Sequence, residues 1–358
     1  MIRRKTDLYF VKAIRMMEKV TAVKYDVVIV GAGMIQLPIS TMQRTIDKRL
    51  TYETGWYGLV AARNYLRLRP QTNLLIIDSS KTVGGVWSKE RLYPNLIAQV
   101  PPGFFNYTDT PMRPQSGAPR DSLIAGDTIH DYLQKYAEHH NLMHRIRFVS
   151  LVTRAERCSI GWRLHCETTG EAIILETAKL IVATGITSIP RMPEFRARDI
   201  SIPIIHSKDL GPSLGSLKAP ETRAVVVVGA AKSAYDTVYL LLSLGKRVIW
   251  IIRPGGTGPH TLLPLKVFGY WSSFGVASTR FMSYVSPSIL NVGGGPLETF
   301  FQRTALGRWC IGKFWDTLNY LSDRHAGYSK GDHVSMLKPD IKEKRHVFPL
   351  INENYAST

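Results

Sequence analysis

A short β-branched run, Tyr25-Asp26-Val27-Val28-Ile29-Val30, leads straight into Gly31-Ala32-Gly33. Continuous apolar character without alternation predicts a parallel strand covered on both faces. Glycine directly after such a strand predicts a tight turn into a helix whose first amides receive a diphosphate. That turn needs the spacing G-x-G-x-x-G. The first glycine makes the turn, the second lets the diphosphate approach the backbone, and the third lets helix and strand pack closely. Gly31 and Gly33 satisfy the first two demands, but the third position holds Gln36.

Removing Met34 to Gly55 repairs the pattern. The run VVIVGAG then joins WYGLVAARNYL, and Gly31, Gly33 and Gly58 stand in register. The helix that follows carries Leu59, Ala62, Tyr65 and Leu66 on one face. A second strand over residues 72–78 ends in Asp78, 20 residues beyond Gly58, where a carboxylate accepts hydrogen bonds from an adenosine ribose. Residues 34–55 therefore read as an interruption. Their 22 codons make 66 nucleotides, the size of a short intron. Gly33-Met34, Leu50-Thr51 and Thr54-Gly55 are encodable as donor-, branch- and acceptor-like signals. The expectation is a translated intron, and the alternative is a genuine surface insertion looping out at the turn.

At 358 residues the chain is long enough for two modest domains. Its 44% apolar and 21% charged residues are ordinary for a globular protein, and no stretch approaches 18 consecutive apolar residues. Cys158, Cys166 and Cys310 are scattered, which argues against a disulfide framework, predicts no metal site and suits a reducing, cytoplasmic setting. The net charge of +18 attracts polyanions. The basic residues are spread out, with a cluster only at Arg63, Arg67 and Arg69, so no nucleic-acid partner is expected. Residues 1–24 are basic and lack the apolar centre of a secretory signal. They read as an extension before the first strand, with a targeting peptide or a surface-lying helix as alternatives.

The strand–turn–helix–strand logic repeats over residues 224–254. Four valines lead into Gly229, the helix carries Ala234, Val238, Leu241 and Leu242, Gly245 caps it, and a second strand ends at Arg253. Ala234 replaces the third glycine, as is common for NADP. Ala231 replaces the second, and its methyl group crowds the closest approach of a diphosphate. Arg253 stands where an acid would favour NAD, and a guanidinium favours the 2′-phosphate of NADP. Lys232 and Ser233 open the helix, where amides and dipole already attract phosphate.

Between the two turns lie Gly84-Gly85, Trp87 and Tyr93-Pro94-Asn95, then residues 96–112. In this order the chain resembles the superfamily of flavin-containing and Baeyer–Villiger monooxygenases, from about Tyr25 to Pro339. The resemblance implies an α/β fold with two Rossmann-like domains, one for FAD and one for NADPH. It places Gly84, Gly85 and Trp87 at the flavin. It lays residues 96–112 over the flavin ring, with Gln99 and Asp109 as orienting groups. Residues 179–193 resemble the segment that hands over to the second domain. Residues 203–211 resemble a degenerate family fingerprint, with His206 and Ser207 matching, Leu210 in place of an aromatic residue, and a cofactor-linked role for His206.

The resulting domain reading is a basic extension over 1–24, a FAD domain over 25–190, an NADPH domain over 191–338 and an atypical polar tail over 339–358. Family members continue further, so the flavin domain is expected to be incomplete at its C-terminal side. The implied activity is oxygenation of a small apolar substrate of secondary or xenobiotic metabolism with NADPH and O2, through a C4a-(hydro)peroxyflavin. The alternative is a non-catalytic remnant of the same fold acting as a binding protein. The aromatic stretches over 260–328 read first as core, with a substrate pocket or peripheral membrane contact left open.

Overall fold

The computed structural model describes residues 22–33, 45–46, 55–113, 122–185, 190, 192–193, 201–253, 262–267, 269–286, 295–338 and 350–351. Most of the N-terminal extension, of the 34–55 segment and of the 339–358 tail lies outside these residues. The chain forms two compact units, Met1–Leu92 with Asp127–Pro212, and Tyr93–Gly126 with Ser213–Thr358. The sequence reading draws one boundary at 190/191. The compact units divide three times, at 92/93, 126/127 and 212/213.

The first unit is built on a seven-stranded sheet of order β2-β5-β6-β7-β1-β3-β4. Its strands are β1 (Val23–Gly33), β2 (Thr45–Ile46), β3 (Leu74–Ile77), β4 (Ile146–Arg147), β5 (Ser150–Cys158), β6 (Gly161–Thr168) and β7 (Glu171–Thr184). β7, β1, β3 and β4 pair in parallel, and β5, β6 and β7 form an antiparallel meander. Val27 to Val30 and Leu74 to Ile77 are all buried, as an unalternated apolar run requires. Val28, Val30, Leu75 and Ile77 cluster with Val152, Leu164, Cys166 and Leu175 of the meander. The alternate residues turn to the face covered by helix α1 (Trp56–Leu68), whose Leu59 and Ala62 are fully buried. Trp56 also stacks on Tyr132 of α2 (Gly126–His139), with 5.4 Å between ring centroids. Burial pushes the Cys166 thiol up to about 12, which leaves it an inert part of the core.

Two residues of the interrupting segment belong to the sheet, since Thr45 and Ile46 pair antiparallel with Glu156 and Ala155 of β5. Gly55 stands at the N-cap of α1, so the helix resumes where the sequence reading ends the interruption.

The second unit contains β8 (Ala224–Val228) and β9 (Arg247–Ile251), a parallel pair. Two short helices, α3 (Leu214–Lys218) and α4 (Lys232–Ser243), belong to the same unit, and α4 packs on the pair. The valines of β8 are not buried throughout. Val227 is covered, whereas Val226, Val228, Ile249 and Ile251 are exposed, because α4 covers one face of a two-stranded sheet. α4 buries Tyr235, Asp236, Leu240 and Leu241; of the residues singled out in sequence, Leu241 is covered, Ala234 and Val238 are half-buried and Leu242 is exposed.

Helices α5 (Ser273–Ala277), α6 (Arg280–Val285), α7 (Pro296–Arg303) and α8 (Ala305–Ala326) follow. Met282, Val285, Ile311 and Trp315 form their core, flanked by Phe301, Phe314 and Leu318. Core packing thus takes Phe314, Trp315 and Leu318, while Leu306 and Trp309 of the same helix are exposed. The Trp315 indole donates to the Val285 carbonyl at 2.8 Å. Trp315→Ala is expected to cost about 3–5 kcal/mol, and Trp315→Phe only about 1–3 kcal/mol, as read from the two urea-unfolding midpoints. Equal midpoints for the two variants would remove this residue from the core. Among the described residues no helix is long and apolar enough to cross a membrane.

Candidate functional site

In the first unit, β1 carries both early glycines to its end. Gly31 is buried with φ +65°, a conformation in which a side chain would be strained, and Gly33 pairs with Thr184 beyond an irregularity in the ladder. Gly58 is buried in the first turn of α1. Asp78 follows the last residue of β3 and is fully buried. Its Oδ1 accepts the Ser80 amide at 2.7 Å, and its backbone bonds Arg147 and Ser150. Ser79 lines an open groove of about 520 Å³ together with Val149, Leu151 and Glu167.

The second glycine pair forms a tight cradle. Gly84 has φ +127°, and a Cβ there would lie 2.7 Å from the Trp87 carbonyl carbon and oxygen and 2.8 Å from the Ser88 amide nitrogen. Gly85 also has positive φ and opens the 3₁₀ turn Gly85–Trp87. Ser88 is fully buried, and its hydroxyl has no hydrogen-bond partner among the described residues. A buried hydroxyl beside a backbone that tolerates no side chain fits a polar ligand group at this turn. His206 has a local task, since its Nδ1 accepts the Lys208 amide at 3.1 Å and caps the turn Ser207–Asp209. Leu210, in place of the family's aromatic residue, is buried.

In the second unit, Gly229 follows the last residue of β8 with φ +129° and only the Ala234 methyl near its missing side chain. Its amide bonds the Ile251 carbonyl, and its carbonyl accepts the Trp250 indole at 2.6 Å. α4 begins after Ala231, whose side chain provides no cap. Ser233 and Arg253 are exposed. Lys232 is not directed along the turn, because its ammonium bonds Asp236 Oδ2 one helical turn onward. The Tyr93 hydroxyl donates to the same oxygen at 3.0 Å. Burial holds the Asp236 carboxyl above its ordinary value, against the pull of Lys232 and Tyr93. Asp236 escaped the sequence reading, although its position four residues after Lys232 was a visible signal.

Gln99 and Asp109 lie in the segment that Tyr93 opens. Gln99 is half-buried next to Ala98, whose amide bonds the Ile124 carbonyl, and Asp109 is exposed in the turn bridged by Tyr107 and Thr110. Among the described residues no group of His, Cys, Asp and Glu is arranged to hold a metal.

A family profile described as pyridine nucleotide-disulphide oxidoreductase matches residues 59–262, more than half of the chain, and begins one residue past Gly58. The FAD-dependent monooxygenase DEP4 of Alternaria brassicicola is 43% identical over 288 residues, covering 80% of this chain and 48% of the relative. An FAD-dependent monooxygenase of Pyrenophora dematioidea is 38% identical over 332 residues, covering 88% of this chain and 56% of the relative. The chain thus spans about half the length of the relatives it matches. In fold it is similar to a steroid monooxygenase solved with NADP, with a TM-score of 0.58 and 20% identity, over 93% of this chain and 64% of the other. It is also similar to cyclohexanone monooxygenase from Rhodococcus sp. Phi1, with a TM-score of 0.57 and 14% identity, over 94% of this chain and 63% of the other. These are α/β folds of the class that the two glycine turns predict. The chain belongs to the pyridine nucleotide-disulphide oxidoreductase family and, within it, resembles the FAD-dependent monooxygenases.

Proposed function

We propose that this chain holds FAD at its first turn and NADPH at its second, and serves a monooxygenase that uses O2 on a small apolar substrate. The observation that carries the reading is the Gly84 cradle with the buried Ser88 hydroxyl, in the same unit as the Gly31 turn and the buried Asp78. The names of the relatives support it.

Gly31, Gly33 and the first amides of α1 would bind the diphosphate of FAD. Asp78 would take the ribose, since it is a buried carboxylate just past the end of β3, an acceptor for ribose hydroxyls. Gly84, Gly85 and Trp87 would hold the backbone close to the flavin. FAD, when bound, supplies the redox chemistry and the activation of O2. The part left to the protein is binding, orientation and exclusion of water, with Gln99 and Asp109 as orienting groups. Gly229, Ser233 and Arg253 would bind NADPH, Arg253 through its 2′-phosphate. His206 supports its own turn in this reading. A second reading, a binding protein without catalysis, is favoured by Ala231 and by the engagement of Lys232 with Asp236.

The test is an absorption spectrum of the purified chain followed by an NADPH-oxidation assay. A yellow protein that consumes NADPH is the expected result. A flavin band without NADPH turnover selects the second reading. A compact chain with no affinity for FAD overturns the oxygenase reading and leaves the binding protein.

A further inference from the structure

We propose that Asp236 is a latch on the second nucleotide turn, holding the Lys232 ammonium away from an incoming phosphate, and that Tyr93 eases its release. The proposal rests on the reading of the Gly229 turn as a pyridine-nucleotide site, and it adds a control on that site.

Three groups meet at one atom. Lys232 Nζ and the Tyr93 hydroxyl both donate to Asp236 Oδ2. The Asp236 side chain is 2% exposed and that of Lys232 25% exposed. Lys232 is the first residue of α4, so a side chain pointing along Cα–Cβ would lean toward the helix N-terminus. Here its ammonium is instead bound by a carboxylate four residues on, on the same face of the helix. A phosphate docked on the first amides of α4 is therefore a rival of Asp236 for the same ammonium. A buried carboxylate deprived of its cation is strongly disfavoured, so the exchange weakens nucleotide binding. Tyr93 sets the balance. Its hydroxyl supports the carboxylate when Lys232 leaves, which makes release easier.

The latch predicts effects of opposite sign. Asp236→Asn keeps the shape and an acceptor for Tyr93 but removes the charge. It should tighten NADP⁺ binding about tenfold, the worth of one charge-assisted hydrogen bond. Tyr93→Phe removes one donor from the carboxylate, which then holds Lys232 more firmly, and should weaken NADP⁺ binding severalfold. In a Lys232→Met background both substitutions should lose their effect. The measurement is calorimetric titration of NADP⁺ into the full chain and each variant, with circular dichroism of each to verify the fold.

Weaker binding in Asp236→Asn, or the same change with and without Lys232, would give Asp236 a purely structural role and end the proposal. Should Asp236→Asn fail to fold, the sign of Tyr93→Phe and its dependence on Lys232 decide the matter alone. No NADP⁺ binding to any variant would reject the nucleotide site itself, which is a separable failure.

Discussion

Gly84→Ala is expected to yield a chain that purifies without flavin and melts roughly 6–12 °C below the parent. The added Cβ would stand 2.7 Å from two backbone atoms of Trp87 and 2.8 Å from the Ser88 nitrogen, and none of these can swing aside as a side-chain end would. A φ of +127° also lies outside the range that alanine adopts readily. Such strain is worth about 1–3 kcal/mol, and with the clash about 3 kcal/mol is the minimum, at roughly 2–4 °C per kcal/mol for a unit of this size. Relief comes only by opening the turn Gly85–Trp87, which moves Trp87 and uncovers Ser88. Gly215→Ala is the matched control, since nothing lies within 4 Å of its missing side chain and its backbone is helical. Its melting point and flavin content should match the parent. Full flavin occupancy in Gly84→Ala would detach this cradle from the cofactor.

Removal of Met34 to Gly55 should have the reverse effect and raise FAD affinity roughly 30-fold. As it stands, 24 residues separate Gly33 from Gly58, and after removal two do. Shortening the connection by between three and four doublings recovers about 2 kcal/mol of closure entropy, which is roughly 30-fold in affinity. The deletion also places the first turn of α1 directly after the strand end whose glycine admits the diphosphate. Against this stands the loss of Thr45–Ile46, a two-residue edge pairing with β5 worth at most about 1 kcal/mol. The flavin-to-protein absorbance ratio and a fluorescence titration with FAD measure the outcome. An affinity unchanged or lowered, with the sheet intact by circular dichroism, would mean that the segment belongs to the site.

Much of the first unit was legible because its physics is local. Val27–Val30 and Leu74–Ile77 are apolar without alternation, and they sit at the centre of the parallel sheet. Gly31 is in the positive-φ conformation the turn demands. The second unit was less legible. The β8 and β9 runs look as buried as β1 in sequence, yet alternate residues face outward, since burial depends on how many strands join and not on the strand itself.

The sequence by itself determined the strand–glycine–helix order, the place of Asp78 just past β3, and the point at which the first helix resumes, because backbone sterics and hydrophobic period act over a few residues. Tertiary structure alone decided the rest. It buried the Ser88 hydroxyl and the Asp236 carboxylate, and brought Tyr93, 143 residues away, to Asp236 Oδ2. A polar group acquires its role from whichever partners share its low-dielectric surroundings, and distant segments supply those partners only once the chain has closed.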